Sequence, residues 1–225
     1  MSESVPVWRE ALTNRDHELY PVAWTVFMER MNAEAANERL ADLKEQAIPL
    51  LNAIIEDEYL HTEDAPGNAK APINAVKLLG DWQVREALPQ LLDILAETQQ
   101  TRPIYQPTVI AISNFGEDIL DEVLTWVEDK PELRRKAAAI LSRIAVGSEK
   151  AYETIASWIV PGEYDMAYFA NCLIDINADE AAATLRKLSQ DREFEREERN
   201  VLKAKSKDAR TRQKDQDKAA AVLEA

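Results

Sequence analysis

The feature that most constrains the fold is an internal repeat of about 31 residues in the central part of the chain. In four segments, apolar residues recur at i, i+4 and i+7, which places them on one stripe of an α-helix. The aligned sets are Leu88, Leu120, Ala151 and Ala181, then Leu92, Leu124, Ile155 and Leu185, then Leu95, Val127, Trp158 and Leu188.

A second apolar helix is predicted before each segment, over 73–79, 109–115, 137–144 and 169–176. Helix-ending residues follow these predicted helices, namely Gly80, Gly116, Gly147 and Asn177. Each unit is therefore expected to be a helical hairpin. Such a hairpin cannot bury its apolar face alone and does so by stacking on its neighbours.

These patterns predict an all-α chain in three parts. Residues 1–69 form an N-terminal helical cap and a first degenerate repeat, with helices around 19–31 and 34–55 and a polar loop over 56–68. Residues 70–190 form four hairpins, and 191–225 a charged tail that is either a helical extension or disordered.

The segments 71–80 and 84–92, read as APINAVKLLG and VREALPQLL, resemble the HEAT-like repeat of phycobilin lyases and of many bacterial scaffold proteins. The resemblance extends over about 40–190. It implies an α-α superhelix (a HEAT-like repeat solenoid) whose second helices line the inner face. It also leaves open an enzyme on the same fold, such as a bilin lyase or isomerase.

The charge of the chain is unevenly distributed. Its net charge is −14, yet residues 191–225 carry 10 Lys/Arg and 9 Asp/Glu, so the body from 1 to 190 is at −15. An acidic body repels nucleic acid and anionic membranes. The single cysteine, Cys172, excludes an intramolecular disulfide, and we expect a cytoplasmic protein.

The acidic residues of the second helices fall into two columns. The first column, Glu86, Asp118, Glu149 and Asp179, is best explained by stabilisation of helix N-termini. The second column lies one turn further along and consists of Glu122 and Glu153, with the neutral Gln90 at the equivalent position. Asp93 adds to its charge. This column is either a solvated helix face or an acidic groove for a basic segment of a protein partner.

Two tryptophans lie off the predicted buried stripe. Trp82 follows Gly80 in a turn, and Trp126 lies beside the stripe of its helix. Because tryptophans often anchor interfaces, the candidate partner-binding set is Trp82, Gln90, Asp93, Glu122, Trp126 and Glu153. Trp8 and Trp24 are expected to belong to the N-terminal cap.

The sequence offers little for catalysis. The only histidines are His17 and His61, and Cys172 lies in an apolar helix without a nearby histidine. Nucleophile and phosphate-binding motifs are missing. We therefore expect no catalytic residues, metal or cofactor, and predict a scaffold or adaptor.

The tail carries a local excess of positive charge, since 199–218 has 8 basic and 3 acidic residues. It is expected to be a mobile solubilising extension, to dock on its own acidic body, or to contact nucleic acid or another acidic surface. Its composition argues against a buried core.

Overall fold

The computed structural model describes residues 6–223, and all regular secondary structure in this range is helical, as predicted. It contains thirteen α-helices and five short 3₁₀ segments, without any strand. Residues 1–5 and 224–225, which belong to the predicted N-terminal part and to the predicted tail, lie outside it. The chain divides into two compact units between Phe115 and Gly116.

The first unit contains seven of these helices: α1 (Val7–Thr13), α2 (Tyr20–Val26), α3 (Ala33–Arg39), α4 (Lys44–Glu56), α5 (Lys70–Asp81), α6 (Leu88–Glu97) and α7 (Tyr105–Ser113). The predicted helix over 34–55 is in fact two helices, because a 3₁₀ turn over Ala41–Leu43 separates α3 from α4. Leu40 leaves helical geometry at this break, and its side chain is fully buried there.

A buried asparagine joins two of these helices. The Nδ2 of Asn74, in α5, donates to the carbonyl oxygens of Val26 at 2.8 Å and Met28 at 2.9 Å. These carbonyls lie at and just beyond the end of α2, where no further helical turn supplies an amide donor. Asn74 therefore fixes the end of α2 against α5.

Gly80 was predicted to end a helix but lies inside α5, which continues to Asp81. It is buried against α7, and a Cβ placed on it would lie 2.4 Å from both the Cα and the Cβ of Ala111. The glycine is needed for the close approach of two helices. By contrast, Gly116 and Gly147 have φ of +70° and +82°, as expected of glycines that follow helix ends.

The second unit contains the remaining helices: α8 (Leu120–Val127), α9 (Arg134–Ile144), α10 (Glu149–Ser157), α11 (Met166–Ile176), α12 (Ala178–Leu188) and α13 (Arg196–Leu223). Within it, α11 packs on α9, α10 and α12. Trp158 lies in the core, 5.6 Å from Phe169 in an edge-to-face arrangement.

The predicted buried stripe of α8 is right at Val127 but wrong by one residue at its other two positions. Ile119 and Val123 are fully buried, whereas Leu120 and Leu124 are only half-buried. The sequence offers two apolar stripes side by side. The helix is preceded by a 3₁₀ turn over Gly116–Ile119, and its tighter winding changes the angle at which α8 begins.

Residues 196–223 form one helix of 28 residues, α13, which packs along α12. The composition was expected to argue against a buried core, yet a few side chains of α13 are buried. Leu202 and Ala209 are fully buried, and the hydroxyl of Ser206 donates to the carbonyl oxygen of Ala182 at 2.8 Å. Because alanine and serine are small, the helices approach closely and few apolar residues are needed.

Candidate functional site

The first unit has an open groove of about 620 Å³ between the end of α4 and α6. Four exposed carboxylates line it, Glu56, Glu58, Asp93 and Glu97. Three isoleucines also line it, Ile55, Ile94 and Ile104. We call this surface, defined by the four carboxylates and the three isoleucines, the acidic groove.

The acidic groove has excess negative charge over an apolar base. Arg102 is the only arginine or lysine among its lining residues in the described part of the chain. Ile55 and Ile104 are buried at 4% and 8% exposure, so they form a packed, apolar surface beneath the carboxylates. Such a base lowers the local dielectric and strengthens the negative potential at the rim.

Two polar contacts hold the groove in shape. The Nε2 of His61 hydrogen-bonds to the carbonyl oxygen of Ile55 at 2.8 Å. The side-chain amide of Gln90 donates to Oε1 of Glu56 at 3.1 Å, which links α6 to α4. The second contact fixes one carboxylate of the rim without removing its charge.

Of the predicted binding residues, Gln90 and Asp93 lie in the acidic groove, and Trp82 does not. The indole Nε1 of Trp82 donates to Oδ1 of Asn37 at 2.7 Å, and Nζ of Lys44 lies 5.7 Å from its ring centre. Asp81 accepts hydrogen bonds from Asn37 at 3.3 Å and from Asn114 at 3.0 Å. Trp82 thus belongs to a polar network that joins α3, α5 and the end of α7.

The other three predicted residues, Glu122, Trp126 and Glu153, lie in the second unit. A groove of about 570 Å³ separates α8 from α10 there, and none of the three lines it. Its polar lining residues are Asp121 and Thr125 on α8, Glu128 just after α8, and Lys150 and Thr154 on α10. On α8 the groove is lined by Asp121 and Thr125 in place of the predicted Glu122 and Trp126. The buried stripe of α8 is displaced by one residue from the predicted one, so the face opposite to it is displaced by one residue as well.

In the groove of the second unit, part of the negative charge is neutralised by a lysine that lines the same groove. Nζ of Lys150 lies 2.5 Å from Oδ1 of Asp121, and this ion pair spans from α10 to α8. The acidic groove has no comparable cross-groove ion pair between the residues that the structure describes. The first unit therefore presents the stronger candidate site.

Some candidate residues were missed by the sequence prediction. Glu56 and Glu58 were assigned to a polar loop, although the similarity of 47–51 to 87–91 indicates that α4 is the neighbour of α6.

Trp24, assigned to the cap, is the one tryptophan of the five that is exposed, at 52%. It stacks on Tyr20 with ring centres 6.0 Å apart.

The groups that could support catalysis are few. Burial raises the pKa of the Cys172 thiol to about 11, which keeps it protonated at neutral pH. Within residues 6–223, no three His, Cys, Asp or Glu side chains are grouped so that they could hold a metal ion. No helix in that range is long and apolar enough to span a bilayer.

No family model matches the chain, and no curated protein or solved structure shows significant similarity to it.

Proposed function

We propose that this chain is a non-catalytic protein-binding scaffold, built from HEAT-like hairpins, whose acidic groove binds a basic segment of a protein partner. The observation that carries the proposal is the combination of four exposed carboxylates with a packed isoleucine base in one groove.

The packing of the helices within each unit supports a repeat array. In the first unit the first helices of consecutive hairpins, α5 and α7, pack together, and in the second unit α9 and α11 do so. Neighbour-to-neighbour contact of equivalent helices is characteristic of stacked hairpins. Concave surfaces on such arrays commonly serve as binding sites for extended segments.

The chemistry of the groove favours a segment that carries lysine or arginine. The long aliphatic parts of these side chains can lie on Ile94 and Ile104 while their charged ends meet the rim carboxylates. A volume of about 620 Å³ accommodates a few such side chains. A neutral apolar segment would leave the four carboxylates partly desolvated without compensation.

The test is binding of a fluorescent peptide of alternating lysine and leucine, followed by anisotropy at low and at physiological ionic strength. The double variant Asp93→Asn with Glu97→Gln removes two rim charges and keeps the side-chain shapes. We expect it to weaken binding about 2- to 30-fold, because two surface ion pairs are lost. Added salt should weaken binding to the unaltered chain more than to the variant.

A matched control neutralises one glutamate and one aspartate outside the acidic groove, with Glu117→Gln and Asp118→Asn. Both side chains are exposed in the second unit. The control should bind the peptide as the unaltered chain does. If both double variants lose affinity equally, net charge rather than the groove is responsible, and the proposal is wrong.

A further inference from the structure

The long helix α13 presents a row of cations on one side. The helix buries Leu202, Ser206 and Ala209. Beside this buried face lies a row of exposed cations: Lys203, Lys207, Arg210 and Lys214. Their spacing of i, i+4, i+7 and i+11 places them along one line of the helix. We call these four residues the basic stripe, which extends over about 16 Å.

Among the residues that the structure describes, the four cations of the basic stripe have no acidic partner, whereas three other cations of α13, Lys205, Arg212 and Lys218, do. Lys205 pairs with Asp208 at 3.5 Å, and Arg212 with Asp175 at 2.7 Å. Within residues 6–223, none of the four stripe cations has a carboxylate within 4.0 Å. The chain has 41 acidic and 27 basic residues, so acids are abundant but are placed elsewhere.

The neighbouring helix increases the positive charge beside the stripe. A groove of about 420 Å³ between α12 and α13 is lined by Arg186 together with Lys203, Lys207 and Arg210. Clustered like charges repel one another, and this repulsion destabilises the folded state. An anionic partner would reduce the repulsion. The surface therefore fits an acidic ligand.

We propose that the basic stripe of α13 binds the acidic groove of a second copy of this chain. The inference rests on the proposed function, since it names the basic segment that the groove receives. The two surfaces match in number and in sign, with four exposed carboxylates in the groove and four exposed cations in the stripe. Binding of a helix in a groove is a common recognition mode.

The far end of α13 is accessible for such an insertion. From Lys214 to Val222 every residue is exposed, so about 13 Å of helix is not covered by the rest of the second unit. Lys214 lies at the start of this uncovered part, and Lys203 and Lys207 lie on the packed part. One end of the basic stripe is thus held in place by the packing of α13, and its other end is fully exposed.

A nucleic acid fits this surface less well. The described residues that line the groove beside the stripe include no aromatic side chain on which a base could stack. A phosphate polymer also extends beyond the stripe and meets a chain with a net charge of −14. A contact between two small patches of opposite sign is affected less, because repulsion beyond about 8 Å is screened at physiological salt.

The stripe and the groove are different surfaces, so the contact is head-to-tail and each copy can bind twice. The test is sedimentation velocity of the full chain over a range of concentrations. We expect association that grows with concentration and weakens with salt. The stripe variant (Lys203→Gln, Lys207→Gln, Arg210→Gln) and the groove variant (Glu58→Gln, Asp93→Asn, Glu97→Gln) should each associate about tenfold more weakly or worse.

Mixing the two variants gives the decisive result. The stripe variant keeps an intact groove and the groove variant an intact stripe, so an equimolar mixture should form pairs that do not grow further. A control with three exposed cations removed elsewhere (Lys70→Gln, Lys130→Gln, Arg143→Gln) should associate as the unaltered chain does. Circular dichroism establishes that each variant keeps its helical content.

Three results would overturn the inference: a monomer at all concentrations, no pairing in the mixture of folded variants, or a duplex oligonucleotide that binds through the stripe without self-association. The peptide assay separates these from failure of the scaffold proposal. If the lysine-leucine peptide binds the groove while the chain stays monomeric, only the inference about a second copy fails. If the peptide also fails to bind, both fail.

Discussion

The substitution Gly80→Ala tests the close contact between α5 and α7 in the first unit. On an exposed helix the change would stabilise the protein by about 1 kcal/mol, because alanine has the higher helix propensity. Here the new methyl group would lie 2.4 Å from the Cα and Cβ of Ala111 and 2.9 Å from its carbonyl oxygen. Ordinary contact begins at 3.4 Å, so α5 and α7 would have to separate by about 1 Å.

Overpacking of this kind costs about 1–3 kcal/mol, and the upper part of that range applies because two of the three atoms belong to the backbone. After the helix-propensity gain is subtracted, we expect a net loss of about 1–2 kcal/mol. For a chain of this size that corresponds to a Tm lower by about 2–8 °C. Calorimetry or thermal circular dichroism measures it.

A double-mutant cycle identifies the cause. Ala111→Gly removes one of the clashing atoms, so it should cost less stability in the Gly80→Ala background than in the unaltered chain. An unchanged or higher Tm for Gly80→Ala would refute the close approach of α5 and α7.

Three further predictions concern individual buried side chains. Leu202→Ala should cost about 2–5 kcal/mol at the contact between α12 and α13, and limited proteolysis should then cut α13 faster. Asn74→Asp should destabilise more than Asn74→Ala in urea unfolding, since it places an acceptor against the carbonyls of Val26 and Met28. Cys172, with its pKa raised to about 11, should react with a thiol reagent at pH 8 at least about 100-fold more slowly than an ordinary thiol, until the chain is denatured. Because this thiol ionises more easily in the unfolded chain, its contribution to stability is lost as pH rises above the ordinary thiol pKa.

The positions of the central helices could be read from the sequence because their apolar residues repeat at helical spacing. Which side of a helix is buried was harder to predict where two apolar residues are adjacent in the sequence. At α8, Ile119 just before the helix forms one apolar stripe with Val123, and Leu120 forms a second with Leu124. The two stripes are equally apolar, and only packing decides between them. In α10 the buried face predicted from Ala151 and Ile155 is confirmed.

The candidate site was only partly predictable for a related reason. Gln90 and Asp93 were identified because they lie on a helix whose buried face is unambiguous. Glu56 is the last residue of α4 and Glu58 begins the 3₁₀ segment after it. The helical periodicity stops there, so the sequence pattern does not place their side chains. Trp82 was set apart as exposed because the sequence does not show that Asn37, 45 residues earlier, is its hydrogen-bond partner.

The composition of α13 conceals its packing for a physical reason. A helix that must both attach to the protein and present charge needs only a narrow buried face, and Leu202, Ser206 and Ala209 supply it. All other positions remain available for lysine and arginine, whose side chains would be costly to bury. A charged segment that shows small or apolar residues at i, i+4 and i+7 is therefore compatible with a docked helix, even when its mean composition resembles that of a disordered tail.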